Sequence, residues 1–521
     1  MTDKKTMVSK LGFFVTHHPW WVIVFSILCI GGLAVGAKNL EFKSDYRVYF
    51  SDDNPQLLAF EALQNTYSKS DNVLFIIEPT AGQPVFSNEV LAAIIELTEK
   101  SWQIPYSSRV DSITNYQHTV AEDDDLIVGD LVPDEGELTS EKLAAIKQIA
   151  INEPVLVNRL ISKTGHVSGV NVTIQLPGKD SMESMEVSKF ARQIATDIEL
   201  KYPHIKLHLS GIVMMSNAFT EASLDDNATL MPIMYGLVLL VLLVCLRSFT
   251  GTFTVMLLII VATIASMGAM GWYKLFLTPT SASAPIIILT LIVADCVHLL
   301  VTVLQKMRLG SEKIAAIQES IRINFQPICL TSITTAIGFL SMNFSDAPPF
   351  RDLGNVVATG AILALLLTVT LLPALLSVLP IRVKAKAAVV QTKPTIMQGL
   401  AKFVIARYKW LLALNSIIAI VFVSFLPMNQ LNDEFVKYFD KTIPFRTATD
   451  FLNENLGGIY TIQYSIESGI EGGVNEPDFL QGLDGFAQWL KLQPEVVHVN
   501  TISDTYKRLN KSMHGDNPEW Y

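Results

Sequence analysis

One acid stands inside an otherwise apolar run, Ala284-Pro-Ile-Ile-Ile-Leu-Thr-Leu-Ile-Val-Ala-Asp295-Cys296-Val-His298-Leu-Leu-Val-Thr302. Spaced i, i+3 and i+7, Asp295, His298 and Thr302 fall on one face of a helix. An ionised Asp at the centre of a membrane helix costs about 2.5 to 3.5 kcal/mol on insertion scales. Such an acid must therefore face a protein interior and be neutral or partnered. Removal from water favours the uncharged form of both Asp and His, whereas their mutual attraction favours the charged pair. Groups under those opposed pulls are suited to loading and releasing a proton. Asp295 is read as a proton carrier, His298 as its coupling partner and Thr302 as part of the same relay. The hydroxyls of a second apolar run, Thr331, Thr334 and Thr335 together with Ser332, extend that relay. The plainer alternative stays open: such hydroxyls are common helix-packing residues in membranes, and Asp295 would then be a buried polar group hydrogen-bonded to His298 and to them.

The elements that must hold these residues are apolar helices. Half of the 521 residues are hydrophobic and 17% are charged, with a mean hydropathy of +0.36, a balance that points to a bilayer. Seven runs are long enough to cross about 30 Å of hydrocarbon: Trp20 to Ala37, Leu230 to Leu246, Phe253 to Trp272, Ala284 to Leu304, Phe325 to Phe344, Leu353 to Leu379 and Trp410 to Pro427. Pro373 in the sixth suits a kink, and Ala262 and Ser266 in the third suit close helix packing. Residues 38–229 and 428–521 are too polar for lipid and read as external domains. The expected organisation is 1–37, N-terminus and first span; 38–229, first external domain; 230–380, spans two to six; 381–409, basic linker; 410–427, seventh span; 428–521, part of a second external domain.

Positive segments next to a membrane stay cytoplasmic. Arg382, Lys384, Lys386, Lys393, Lys402, Arg407 and Lys409 crowd one linker without an acid, and Lys4, Lys5 and Lys10 precede the first span. Both face the cytoplasm in this reading, which places the two large domains outside and the loop bearing Lys306, Arg308, Lys313 and Arg322 inside. The net charge of -10 collects in the external domains, notably Glu122 to Asp125, and argues against nucleic acid. Cys29, Cys245, Cys296 and Cys329 all fall in apolar runs, so no disulfide framework is expected. No nucleophile motif, phosphate loop or metal-spaced His/Cys set is present, hence no enzyme, cofactor or metal is expected; His17 and His18 read as interfacial.

The first run also ends in a passable signal-cleavage sequence, Ala34-Val35-Gly36-Ala37. An internal repeat argues against cleavage. Tyr49-Phe50 recurs as Tyr438-Phe439 at an offset of 389, and the same register pairs Leu11, Phe14, Val15 and Trp21 with Leu400, Phe403, Val404 and Trp410. Pro55 meets Pro444, Leu63 meets Leu452, and Asn72 to Glu78 meets Thr461 to Glu467; Pro105, Val110 and Ile113 meet Pro494, Val499 and Ile502. One register over so many landmarks indicates duplication, with span one the twin of span seven. Two full copies would give twelve spans in parallel halves, so the second half is expected to be truncated, with the counterpart of Asp295 beyond the chain.

In the first external domain, strand Val73 to Glu78, helix Asn88 to Trp102 and strand Val110 to Asn115 form one βαβ unit. Strand Ser168 to Gln175, helix Met182 to Tyr202 and strand Ile205 to Ser210 form another. Two such units suggest a ferredoxin-like α+β fold. Thr119 to Pro154 reads as an insertion, acidic and then helical, and Met214 to Thr229 as a helix running into span two.

With the Asp-bearing span four, the large domain after span one and five further spans, Leu330-Thr-Ser-Ile-Thr-Thr-Ala-Ile-Gly-Phe339 and Leu371-Leu-Pro-Ala-Leu375 resemble the RND superfamily of exporters, of the MMPL type. Patched-like and sterol-sensing proteins share the plan. The resemblance implies a partial RND-type transporter fold: an α-helical polytopic membrane protein with ferredoxin-like periplasmic domains. It also implies a proton-coupled exporter of hydrophobic or lipid-like molecules in a bacterial inner membrane, working as a dimer or trimer with room for a periplasmic partner protein. Many relatives carry paired acids or an Asp-Tyr pair where this chain has Asp295-Cys296 followed by His298, which leaves the coupling ion open. A lipid-binding or sensing module without transport is the alternative class; a protein-translocation accessory of the SecD/SecF kind shares six spans but has no supporting motif here. With this topology, a membrane-impermeant thiol reagent added to intact cells is expected to label a cysteine placed at Asn500 and to miss one placed at Ser311; the inverse pattern would overturn the orientation.

Overall fold

The structure is a computed structural model, and it describes residues 7–43, 45–67, 69, 71–80, 82–122, 125–133, 136, 138–178, 182–381, 396–430, 434–515 and 517–521. Lys4, Lys5, Asp123, Asp124, Arg382, Lys384, Lys386 and Lys393, named above, lie outside them.

The chain opens with α1 (Met7–His17) and α2 (Pro19–Ala34). The break falls at His18 (φ -121°, ψ 50°) because a residue before proline is driven out of the helical region. After α3 (Pro55–Thr66), capped by Asn54 Oδ1 accepting from the Gln56 and Leu57 amides, come β1 (Asn72–Pro79), α4 (Asn88–Ser101) and β2 (Ser107–Asp111). An excursion, β3 (Gln117–Glu122), β4 (Asp125–Asp130) and α5 (Ser140–Asn152), precedes β5 (Ser168–Ile174), α6 (Glu183–Lys201) and β6 (Ile205–Ser210). α7 (Ile212–Leu246) then runs unbroken out of the domain into span two; at about 1.5 Å per residue it is roughly 52 Å long. Gly211 makes this corner at φ 111°, and a Cβ there would sit 2.5 Å from the Asn72 carbonyl oxygen, so only glycine fits.

The sheet order is β2-β5-β1-β6, every neighbouring pair antiparallel. Alternation splits its side chains between two faces. Val73, Phe75 and Ile77 share one face, and α4 and α6 pack on the sheet. On the other, Leu74 and Ile76 lie beside Ser210 and His208. That face is closed by the segment after span seven: Ser210 Oγ and Thr449 Oγ1 are 2.8 Å apart, and the His208 ring stacks 4.3 Å from that of Phe451. Phe445, Leu452 and Leu456 are buried in the same core as Phe75, each such side chain stabilising by about 1.5 to 3 kcal/mol.

The remaining spans are α8 (Phe249–Trp272), α9 (Ala284–Arg308), α10 (Lys313–Leu340), α11 (Pro348–Val369) with its continuation α12 (Leu371–Val378), and α13 (Ile396–Ser424). With α2 and α7 they make seven helices long and apolar enough to cross a membrane, coinciding with the seven apolar runs. This is a polytopic α-helical membrane protein with small β-sheet regions. α8 and α11 are the most covered spans, while the apolar window of α13 is wholly uncovered. At one end of the bundle basic side chains cap helix C-termini, where cations are favoured: Arg308 Nη2 donates to the Leu246 carbonyl at 3.2 Å and Lys313 Nζ to that of Ser377 at 2.7 Å. After the bundle come α14 (Pro444–Asn455), α15 (Pro477–Lys491) and α16 (Ile502–Met513).

Several elements differ from expectation for local reasons. Span six breaks at Thr370 (φ -118°, ψ -65°), before Pro373, whose ring clashes with the carbonyl of Val369. β2 starts earlier than expected and stops at Asp111, because Ser112 and Asn115 side chains fold the next residues into a turn, with Asn115 Oδ1 accepting from the Ser112 amide at 2.8 Å. Within Thr119 to Pro154 the first part is extended, β3 pairing antiparallel with β4 from Gln117 opposite Asp130 to Glu122 opposite Asp125. Thr461 to Glu467, expected to match the strand at Asn72 to Glu78, forms no strand, whereas β1 is ordered by β5 and β6 on either side.

The α2 end crosses α8 backbone to backbone. A Cβ on Gly271 would lie 1.9 Å from the Gly36 oxygen, one on Gly268 2.1 Å from the Leu33 oxygen, and one on Gly36 2.2 Å from the Gly268 oxygen. Small residues let membrane helices approach this closely. Gly271→Ala is expected to destabilise the protein by about 1 to 3 kcal/mol through overpacking, read as a lower unfolding midpoint in detergent. Gly338→Ala, which would meet no atom within 4 Å, should leave the midpoint near wild type; equal effects would contradict the crossing.

Candidate functional site

α9 is positioned for its acid by its ends. Pro285 opens the first turn and Lys306 and Arg308 close the last, both favourable placements. Asp295, near the helix midpoint, is 6% exposed and its neighbour Cys296 fully buried. The two residues tie α9 to different spans. Ser332 on α10 donates its hydroxyl to Asp295 Oδ2 at 2.9 Å, and Cys296 Sγ lies 3.5 Å from Thr368 Oγ1 on α11. Ser332 Oγ is also 2.9 Å from the Ile328 carbonyl oxygen one turn back. A hydroxyl has one proton, so it serves one of those acceptors at a time.

The other sequence-selected residues are placed differently. His298 sits one turn beyond Asp295 on the uncovered side of α9, with Ala294 and Val301. Thr302 donates to the His298 carbonyl at 3.0 Å and accepts from Asn324 Nδ2 at 3.0 Å, joining α9 to α10. Thr331 and Thr334 are exposed and donate to carbonyls of their own helix, Ile328 at 2.9 Å and Leu330 at 2.8 Å. Thr335 is half-buried. Asp295 and Ser332 are thus brought together, while the three threonines of α10 are turned elsewhere. Ser332 shares with Ile328 and Ala336, four residues to either side, the buried stripe of α10 that faces the bundle. Pro327 lies inside α10, five residues before Ser332, and lacks the amide that would satisfy the carbonyl one turn earlier.

The bundle is joined to the sheet-bearing domain at the exit of span one. Arg47 holds Asp45 at 2.6 Å, Asp71 at 3.2 Å and Gln64 at 3.0 Å, and the Tyr46 hydroxyl donates to Asp71 Oδ1 at 3.3 Å. Burial, reinforced by the Asp71 charge, pushes the Tyr46 phenol well above its ordinary pKa, so it remains a donor. Backbone bonds of 2.8 Å from Lys43 N to Leu277 O and from Leu277 N to Glu41 O lace this exit to the loop before α9. Beside it, Tyr46, Tyr49, Met215, Phe219, Pro279 and Phe435 line a small aromatic cleft.

Comparison with known proteins agrees with this architecture. Residues 62–404 match the model of the MMPL family. The chain is 21% identical over 381 residues to "Putative membrane protein MJ1562" of Methanocaldococcus jannaschii, a match covering 71% of this chain and 94% of that protein. Proteins of the matched family are membrane transporters and not catalytic enzymes, consistent with the handling of hydrophobic substrates. From its matched residues, its seven apolar helices and its small β-sheet regions, the chain belongs to the MMPL family.

Proposed function

We propose that the intact protein is a proton-coupled exporter of hydrophobic, lipid-like molecules, with Asp295 as the proton carrier and Ser332 as its hydrogen-bonding partner. The observation that carries this reading is the buried Asp295 carboxyl between α9 and α10, bonded to a neighbouring span by a single hydroxyl. Intramembrane ionisable groups so placed mark ion pathways. When Asp295 is ionised, the Ser332 proton is drawn to it; when Asp295 is protonated, that proton can return to the Ile328 carbonyl. Loading of the acid thereby reaches α10 close to Pro327, where the helix is weakest.

His298, Thr302, Thr331 and Thr334 put polar atoms on the open side of α9 and α10, where lipid is a poor neighbour. In the proposed reading a second, duplicated bundle covers this side and His298 couples across it. The duplication is supported by elements recurring at the offset of 389: α3 and α14 (Pro55–Thr66, Pro444–Asn455), the starts of α4 and α15, and the helix irregularities at His18 and Arg407. The strand order and antiparallel pairing around β1 support the ferredoxin-like reading of the external domain. The basic caps at one end of the bundle support a cytoplasmic placement of that end, in a bacterial inner membrane. The unbroken α7 and the Arg47 junction would carry movements of the bundle to the external domain.

In proteoliposomes of the full-length protein, Asp295→Asn is expected to cut substrate-dependent proton flux at least about a hundredfold, the lower end of what losing a proton-transfer group costs. Ser332→Ala is expected to retain flux with a shifted pH profile. Wild-type flux in Asp295→Asn would refute the coupling role, and substrate movement indifferent to the proton gradient would favour a lipid-binding or sensing module instead.

A further inference from the structure

The segment after span seven meets the first external domain along a seam that carries three of the chain's nine histidines. Two of them touch α14. His208 stacks on Phe451 with its Nε2 2.8 Å from Glu78 Oε2. His166 Nε2 lies 2.8 Å from Asn455 Oδ1 at the end of α14, and its Nδ1 3.0 Å from Ser162 Oγ. The third, His498, follows α15. It packs by the 153–161 loop, where Asn158 Nδ2 donates to the neighbouring Val497 carbonyl at 3.1 Å. His498 Nε2 is buried and has no hydrogen-bond partner among the described residues.

The two ends of this seam differ in what surrounds their rings. His208 and His166 are both held by polar partners, with Lys206 opposite Glu78 on the sheet and Arg446 paired with Asp450 at 2.9 Å on α14. A proton on His498 Nε2 would instead create a buried N–H with no acceptor among the described residues. Burial, the Arg159 guanidinium and Lys491 hold this ring below its ordinary pKa, against the Val157 carbonyl and Asp504, which favour the proton. Arg159 is engaged with Asp111 at 3.0 Å, and Glu153 and Lys511 border the same patch.

We propose that this seam is an acid-opened hinge, in which lowering the external pH releases the Val497–His498 segment from the 153–161 loop while α14 stays docked on the sheet. The sign follows from linkage: a histidine whose docked pKa is depressed stabilises docking above its free value, about 6.5, and loses that contribution as the pH falls through it. An exporter using an inward proton gradient has its external domains on the acidic side, so the hinge would respond to the same gradient.

Hydrogen–deuterium exchange on the purified full chain, corrected for intrinsic pH effects, tests this between pH of about 7.5 and about 5.5. Protection of residues 496–513 should fall several-fold on acidification, while that of 444–455 holds or rises. His498→Gln should keep wild-type protection at the higher pH and lose the acid response. If that variant does not fold, Arg159→Gln serves: with a repelling charge gone, the acid response should shrink. Unchanged protection in the wild type, parallel loss in α14, or an acid response of full size in either variant would overturn the hinge.

Discussion

A carboxyl group in a membrane must be surrounded by protein, and much of the bundle can be understood from that requirement. Asp295 is shielded because the buried stripe of α10 locks into the bundle, Ser332 meeting Asp295 on α9 while Ile328 packs with Leu365 and Val369 and Ala336 with Ala358 and Ala361 of α11, and α11 reaches the adjacent Cys296 through Thr368. Ser332 is compatible with both demands of the place, being small enough for close packing and able to donate to a carboxylate. A larger side chain there would part the helices, and an apolar one would leave the carboxyl without its hydrogen bond.

The sheet-bearing domain answers a different constraint with the same economy. A four-stranded sheet has two faces to cover, and the sequence-adjacent helices α4 and α6 cover one. The other is closed by α14, which lies more than two hundred residues away in sequence and on the far side of six spans. Motion of span seven is therefore not independent of the first domain. The junction at Arg47 and the long α7 link the same domain to spans one, two and four, so both sides of the sheet are mechanically tied to the membrane.

The seven spans were legible because runs of this length have no other stable use, and the βαβ units because their periodicities change cleanly from two to three or four. Asp295 was legible from chemistry alone. Which hydroxyl meets it was not, since choosing Ser332 over Thr331 and Thr334 requires the rotation of α10 about its axis, set by packing against α9 and α11. The pairing of β3 with β4 was hidden by the acidic composition of the segment, and the covering of Leu74 and Ile76 by α14 is a long-range contact that no local pattern encodes. The strand-like pattern of Thr461 to Glu467 forms no strand, because strand formation depends on neighbours as well as on sequence.

In the proposed mechanism the proton resides on one carboxyl between α9 and α10. Infrared difference spectroscopy of the protein in lipid, recorded across a pH titration, reads that proton through the carboxylic C=O stretch. The proposal requires a band that grows on acidification and vanishes in Asp295→Asn. A spectrum with no titrating band assignable to Asp295 would contradict it.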